Sequence, residues 1–518
     1  MITGGLTSIG TVEHYRIDGV EEMRPFLTTV VSDSDLWMFV SSTGALTAGR
    51  VDADGALFPY ATDDLIHRAA GDVGPVTVVA RFTADGRDVW RPFRREPTPG
   101  CTRSIAKSAV GDRLVFEERN EAWGLLFRST WAPSPAYGWV RTVELVDLAG
   151  AGHELEVLDG LVDVMPAGVE APTEQIRSNL VDAYKRAELV DGGPCVVYHL
   201  ESLVTDRAEP AESLRASVVW STGFDGAEIH LSADAVAAAA GGHTLTPERR
   251  STGRPGAYLL RGAISVAPEG SSTWSIVADT GLDHRGVLGA VSAAADPAAA
   301  ELVADDVAAG SQRLEHLLAG ADGFQTTADD VADAHHLSNV LFNSMRGGVF
   351  PFDHRVRRVD LAVFVSDRNR AVAERHAAWL DALPAEADVT VLRSMALDTG
   401  DEDLVRLVLE YLPLTFSRRH GDPSRPWNKF SIHVRDADGA ELLAYEGNWR
   451  DIFQNWEALL RSYPAYFAHV VAKFVNASTL DGHNPYRISH DGVDWEFSEF
   501  CTKRAKRRCA FREVNYTP

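Results

Sequence analysis

Between residues 427 and 496, four tryptophans (Trp427, Trp449, Trp456 and Trp495) alternate with carboxylates, amides and guanidinium groups. Such a mixture suits recognition of a sugar. Flat rings cover the apolar face of a pyranose, while charged and amide groups pair with its hydroxyls. Tyr445 to Leu460 reads YEGNWRDIFQNWEALL, and there Trp449, Arg450, Asp451 and Gln454 are candidate sugar ligands. A plain capping reading, with Asn448 as N-cap and Asp451 in the first turn, accounts for Asp451 but not for Trp449 and Arg450. Asn476 to Glu496 reads NASTLDGHNPYRISHDGVDWE. Its Asp481-Gly482 and Asn484-Pro485 pairs are turn formers, and Asp481, Tyr486 and Arg487 suit the rim of a sugar or phosphate site.

Asp494 and Glu496 flank Trp495. In an extended segment, side chains at i and i+2 share a face, so the two carboxylates would point the same way. Inverting glycosidic cleavage uses an acid and a base roughly 6.5–9.5 Å apart, which makes this pair the candidate catalytic group; a solvated loop is the alternative. RRHGDPSRPWNKF, from Arg418 to Phe430, is the most basic segment in the body of the chain. Arg418, Arg419 and Arg425 are candidate phosphate ligands there, Trp427 could extend the aromatic platform, and a solvated loop with proline-fixed turns is again the plainer reading.

Composition bounds the classes open to the chain. Its 518 residues suggest two to four domains, and its formal charge of 50 − 74 = −24 argues against nucleic acid as a partner. The four cysteines (Cys101, Cys195, Cys501, Cys509) form no CxxC pair and no zinc spacing. His335 and His336 are adjacent and would point about 100° apart on a helix, so no metal site is expected. The glycine-rich pieces match neither a P-loop nor a dinucleotide fingerprint. MITGGLTSIGTVEHYRIDG lacks the pattern of a signal peptide, and no run of 18 apolar residues suggests a membrane span. The expectation is a cytoplasmic location with no membrane partner.

These candidates must be positioned by the surrounding elements. Residues 1 to about 285 read as β: Leu36 to Val40, Val76 to Phe82, Trp123 to Trp131, Trp139 to Leu145, Cys195 to Leu203, Ala216 to Trp220 and Thr273 to Ala278 are short, rich in β-branched or aromatic residues, and separated by Asp-Gly and Gly-Gly turns. That spacing predicts a large two-sheet sandwich. Residues 286–330 are alanine-rich and read as a helical linker. Helices are expected at Asp329 to Met345, Arg370 to Leu383, Asp401 to Leu412, Trp449 to Ser462 and Pro464 to Phe474. In the last two, apolar residues recur at helical spacing (Ile452, Phe453, Trp456, Leu459, Leu460; Tyr466, Phe467, Val470, Val471, Phe474, Val475). Phe430 to Glu446, with Asp438-Gly439 at its centre, predicts a hairpin.

The order of β domain, helical linker and helices, together with GNWRDIFQN at Gly447 to Asn455, resembles the cellobiose-phosphorylase-like proteins of glycoside hydrolase family 94. The motif is similar to that family's Arg-Asp element, onto which Arg450, Asp451 and Gln454 map; Asn455 stands where the family tends to have Asp. The resemblance implies an N-terminal β-sandwich (1–285), a helical linker (286–330) and a partial (α/α)6 barrel (331–498). It also implies an inverting phosphorylase acting on a β-glucoside or oligosaccharide, with inorganic phosphate as co-substrate, no other cofactor, and a homodimer. The family's downstream Trp-Asn-Asp acid element has no counterpart here. Residues 499–518, with Lys503, Arg504, Lys506, Arg507 and Arg508, read as an aberrant basic tail from a shifted or truncated frame, or else as a genuine basic tail. The expectation is a sugar-binding chain with little or no activity. The alternatives are a non-catalytic glycan-binding or scaffold protein, and a glucoamylase-like hydrolase.

Overall fold

Alternation of inward apolar and outward polar residues, broken by turns, produces antiparallel strands through the first half of the chain. The computed structural model describes residues 1–84, 86–204, 211–346, 348–351, 354–415, 422–425, 430–434, 436, 442–449 and 452–494, with the backbone alone at 342, 345, 346, 446 and 454. The chain divides into a β-rich unit, Met1–Leu314 with Gly421–Ser431, and a helical unit, Glu315–His420 with Ile432–Pro518.

In the β-rich unit an eleven-stranded sheet runs, in spatial order, through Thr3–Ile9, Val12–Asp18, Cys101–Ser108, Leu114–Asn120, Leu125–Ser134, Gly138–Asp147, Ser271–Leu282, Ala216–Thr222, Val196–Leu200, Lys185–Leu189 and Arg250–Thr252. A five-stranded sheet is ordered Glu228–His230, Gly256–Val266, His153–Val164, Gly74–Thr83, Gly86–Trp90, and a three-stranded sheet is built from Leu27–Val30, Leu36–Ser41 and Leu46–Arg50. The inner faces of all three contribute to one apolar core, in which Trp90, Trp131, Trp139, Trp274 and Tyr258 are almost wholly enclosed. Strands expected at Leu36, Val76, Trp139, Ala216 and Thr273 are all present; Gly138–Asp147 alternates along its second half, whereas Leu36–Ser41 and Ala216–Thr222 are buried nearly throughout, as their β-branched and aromatic runs allow.

This core also holds charge. Arg141 and Asp159 are 1% and 0% exposed and form a two-pronged pair, with Nη1 to Oδ2 at 2.8 Å and Nη2 to Oδ1 at 3.0 Å. Ser129 accepts from Arg141 Nε at 3.0 Å, Thr77 donates to Asp159 Oδ1 at 2.6 Å, and Trp274 Nε1 donates to Oδ2 at 2.8 Å. Strand His153–Val164 carries a register shift between Val162 and Val164. The extra residue, Asp163, takes φ 57°, a left-handed conformation that Asp tolerates better than most residues. Burial pushes its carboxyl up to about 6 against the opposing pull of Lys185.

The outer face of the large sheet has two ends. At one, Val140, Val218, Trp220 and Val277 are covered by helices His284–Ala294 and Ala299–Gly320. At the other, polar residues face outward. Among the described residues no single helix is long and apolar enough to cross a membrane; those two helices pass such a test only as a pair bent by 118°. Segment 422–431 belongs to the β-rich unit: Phe430 lies 5.2 Å from Trp37 and 5.8 Å from Tyr60, and Ser431 bridges Asp52.

The helical unit contains Asp330–Arg346, Arg358–Arg368, Arg370–Arg375, Ala377–Ala382, Val389–Leu397, Glu402–Glu410, Ile452–Ser462 and Phe467–Ala477. The single helix expected over 370–383 is two, broken at His376 (φ −111°, ψ 20°). The helix expected to begin at Trp449 begins at Ile452, because 446–448 pair as a strand. Helices Arg358–Arg368 and Val389–Leu397 were not expected. They form because Leu361, Phe364, Val365, Leu392 and Ala396 are taken into the core, and packing overrides the modest helix propensity of their β-branched neighbours. The core of the predicted hairpin at 430–446, residues 435 and 437–441, lies outside the described residues.

Candidate functional site: an aromatic cleft beside a small sheet

Helices Ile452–Ser462 and Phe467–Ala477 are each amphipathic, and their facing sides enclose a cleft of about 750 Å³. Its floor is aromatic. Phe474 lies 4.4 Å from Trp449, 4.1 Å from Phe453 and 5.8 Å from Trp456. Polar groups stand at the margin: Glu457, Arg461, Ser478 and Asn484. Ser478 Oγ donates to Asn484 Oδ1 at 2.6 Å, which fixes one side of the rim. A cleft of this size with few polar groups on an aromatic floor has the general form of a small-molecule site.

The tryptophans play a different part from the one their sequence context suggests. Trp449 and Trp456 are 3% and 0% exposed. They form the floor and are not open platforms, because Phe474 and Tyr445 close over their faces. The exposed rings of the cleft are Phe453 and Phe467, at 47% and 59% exposure.

Beside the cleft, Glu446–Asn448, Arg487–Ser489 and Val493–Asp494 form a three-stranded antiparallel sheet. Register places Arg487 opposite both Asn448 and Asp494. Trp449 N–H donates to Tyr486 O at 3.0 Å, and Tyr486 N–H donates to Asp494 O at 2.7 Å. This sheet therefore brings together Trp449, Tyr486, Arg487 and Asp494, which the sequence leaves 45 residues apart (494 − 449). The Arg487 fork grips Asp494 Oδ2, with Nε at 2.7 Å and Nη2 also bonded. Asp481 stays apart on an exposed turn, where Gly482 takes φ 84°. The Thr479 hydroxyl is the main group holding the Asp481 carboxyl below its ordinary value.

Arg425 belongs to the β-rich unit, where its N–H donates to Asp422 O at 2.8 Å. Trp427, Arg418, Arg419, Arg450, Asp451 and Glu496 lie outside the described residues, as does the side chain of Gln454. His336 is buried with Nε2 2.9 Å from Asp322 O, and no group of three or more His, Cys, Asp or Glu among the described residues could hold a metal ion.

Behind the cleft lies a polar cluster that the sequence reading missed. Asp360 accepts from the Tyr411 hydroxyl, and its Oδ1 lies 3.2 Å from His490 Nε2. Burial pushes the Asp360 carboxyl up, but the bonds from His490 and Tyr411 outweigh it and hold the group below its ordinary value. Lys473, 7% exposed, reaches Tyr445 Oη at 3.3 Å and Glu410 O at 3.4 Å. Its ammonium lies 5.7–5.9 Å from the ring centres of Trp456, Phe364 and Tyr445, within reach of cation–π attraction. One signal was available: in FAHVVAKFVNA, Lys473 sits three residues after Val470 and next to Phe474, on the buried stripe.

Residues 350–413 match the sequence model of glycoside hydrolase family 149 insertion domain 1. No curated protein matches the chain. Among solved structures, the chain is similar to a bacterial glucoamylase in complex with acarbose, at 9% identity and a TM-score of 0.37, covering 79% of this chain and 60% of that one. It is also similar to a candidate kojibiose phosphorylase from the human microbiome (6% identity, TM-score 0.32, 77% and 45% covered) and to a heparan sulfate lyase from Pedobacter heparinus (8%, 0.23, 49% and 36%). The chain thus spans 60% and 45% of the lengths of the first two. The segment that matches the family 149 insertion domain supplies both Asp360 and Tyr411, and so holds His490 at the edge of the small sheet.

Proposed function

We propose that the protein is carbohydrate-active, of the glycoside phosphorylase type, and that the cleft between helices Ile452–Ser462 and Phe467–Ala477 receives a sugar ring. The match of residues 350–413 to a domain of a glycoside hydrolase family is the observation that carries this reading. The cleft adds to it: Phe453 offers an exposed face for a pyranose, and Glu457, Arg461 and Asn484 stand where hydroxyls would emerge. On this reading the helices are part of an (α/α)6 arrangement, the ligand is a β-glucoside or oligosaccharide, and inorganic phosphate is the co-substrate.

Binding with little turnover is the expected behaviour. A general acid must deliver a proton to the leaving oxygen, and Asp494 has Oδ2 occupied by the Arg487 fork. Titration of cellobiose and laminaribiose against tryptophan emission tests the binding. Saturable quenching is expected, because Trp449 and Trp456 floor the cleft, and Phe453→Ala should weaken it about tenfold, equivalent to about 1.4 kcal/mol. No response to any α- or β-glucoside would overturn the carbohydrate reading. Release of sugar 1-phosphate from a β-glucoside would overturn the expected inactivity, and release of free glucose without phosphate would favour the glucoamylase-like alternative.

A further inference from the structure

The other end of the large sheet's outer face carries a ladder of alternating charge. Asp18, Arg16, Glu117, Arg128 and Glu144 succeed one another across the strands. Arg16 Nε bonds Asp18 at 2.7 Å and its Nη1 bonds Glu117 Oε2; Arg128 Nε bonds Glu117 Oε1 at 2.6 Å and its Nη1 bonds Glu144 at 2.5 Å. Glu117, 3% exposed, lies at the centre. The side chains of this face and the hairpin Thr3–Ile9 with Val12–Asp18 bound a groove of about 570 Å³, a volume in the range of small-ligand sites.

Three features separate this groove from an ordinary salt-bridge row. The opposite end of the same face is apolar and lies under two helices, so polarity here is local and not a property of the whole face. Each guanidinium is anchored through Nε and Nη1, and among the described residues neither Nη2 has a partner. Two forks already immobilised by a buried carboxylate therefore keep donors free, and a ligand need not supply the cost of ordering them. Finally, the charges alternate, which gives no net field to attract a polyanion or polycation, while hydroxyl donors and acceptors such as Thr7 and Thr102 line the same space.

We infer that this groove is a second binding site, separate from the aromatic cleft, for a neutral polyhydroxylated ligand, an oligosaccharide segment. The inference rests on the carbohydrate reading above. It predicts edge-on recognition through hydroxyls, because the groove margin is formed by Ile9, Leu126 and Leu148 and not by aromatic rings.

Native gel electrophoresis of the full chain through laminarin, soluble starch or hydroxyethylcellulose tests it. Thr102 is exposed, so Thr102→Trp should fill the groove while leaving the ladder and the melting midpoint unchanged. Arg128→Lys keeps the charge but removes the fork. Retardation of the wild type by at least one glucan is expected, with its apparent dissociation constant raised at least fivefold in both variants. Retardation unchanged by either groove variant but lost in Phe453→Ala would overturn the groove and leave the cleft reading standing. Mobility unaffected by all three glucans, in the wild type, would overturn both.

Discussion

One buried cation in each unit shows two different ways of holding a charge. In the β-rich unit Arg141 and Asp159 are matched atom for atom: both carboxylate oxygens and all three guanidinium nitrogens have partners, drawn from strands of two sheets. In the helical unit the Lys473 ammonium has a phenol, a backbone carbonyl and three ring faces, and no ion pair among the described residues. The first arrangement specifies one packing of two sheets, because any slip leaves a charge unpaired. The second tolerates movement, since ring faces and neutral acceptors set no strict geometry.

Breaking the matched pair should have the largest effect. Asp159→Ala leaves Arg141 charged, buried and partnered only by hydroxyls, which costs about 3–5 kcal/mol. A urea titration of the purified variant should show the midpoint of the β-rich unit falling sharply. A loss under about 1 kcal/mol would show that water reaches Arg141 and that the pair is not sealed. Replacing both partners, Arg141→Met with Asp159→Leu, should recover most of the loss, because the penalty comes from the orphaned charge.

Two carboxylates sharpen the comparison through opposite responses to pH. Asp163, pushed up to about 6 by burial, keeps its proton in the folded chain where the unfolded chain has lost it. Between about pH 4 and 6 the folded state therefore binds more protons, and stability falls as pH rises. Asp163→Asn should abolish that fall and stabilise the protein at pH 7 by on the order of 1–3 kcal/mol. Asn also suits the left-handed backbone at this position. Thermal melts at pH 4, 5, 6 and 7 decide it, and parallel curves for the two proteins would refute the assignment. Asp360 behaves inversely. Its folded value lies below the ordinary one, so its contribution is complete above the unfolded value near 4 and is lost as pH falls through the folded value. Asp360→Asn should cost about 1–2 kcal/mol at pH 7, and the cost should shrink as pH falls below the unfolded value near 4, read as the difference between the two melting curves.

The legible parts of this molecule are the local ones. Period-two alternation in Gly138–Asp147 and Leu125–Ser134 is visible residue by residue, and so are the 3.6-residue stripes of Ile452–Ser462 and Phe467–Ala477. Sheet order is not, because strand Gly138–Asp147 pairs with Ser271–Leu282 across more than a hundred residues with no local mark of the choice. The site divides on the same line. Composition points to the aromatic and charged stretch from 445 to 494, yet it cannot say that Trp456 would be enclosed while Phe453 stayed open, since both lie on one apolar stripe three residues apart. Asp360 and His490 are 130 positions apart, and only folding of the 350–413 segment against the small sheet makes them partners.

The smallest effect should come from Lys473, and that is the sharpest test of the difference between the two units. Lys473→Met keeps an unbranched chain of similar length and removes the ammonium. What is lost is two long hydrogen bonds, at 3.3 and 3.4 Å, and the attraction of three rings at nearly 6 Å. What is gained is relief from desolvating a charge that no carboxylate among the described residues neutralises. The two should cancel to within about 1 kcal/mol, against several for Asp159→Ala. The Met side chain also suits the ring contacts it inherits from Trp456 and Phe364. If instead Lys473→Met unfolds the helical unit, the ammonium is a matched structural charge like Arg141, and the two units follow one rule. If stability holds while sugar binding in the cleft weakens, Lys473 acts by setting Trp456, whose buried ring it faces and on which the floor of the cleft rests.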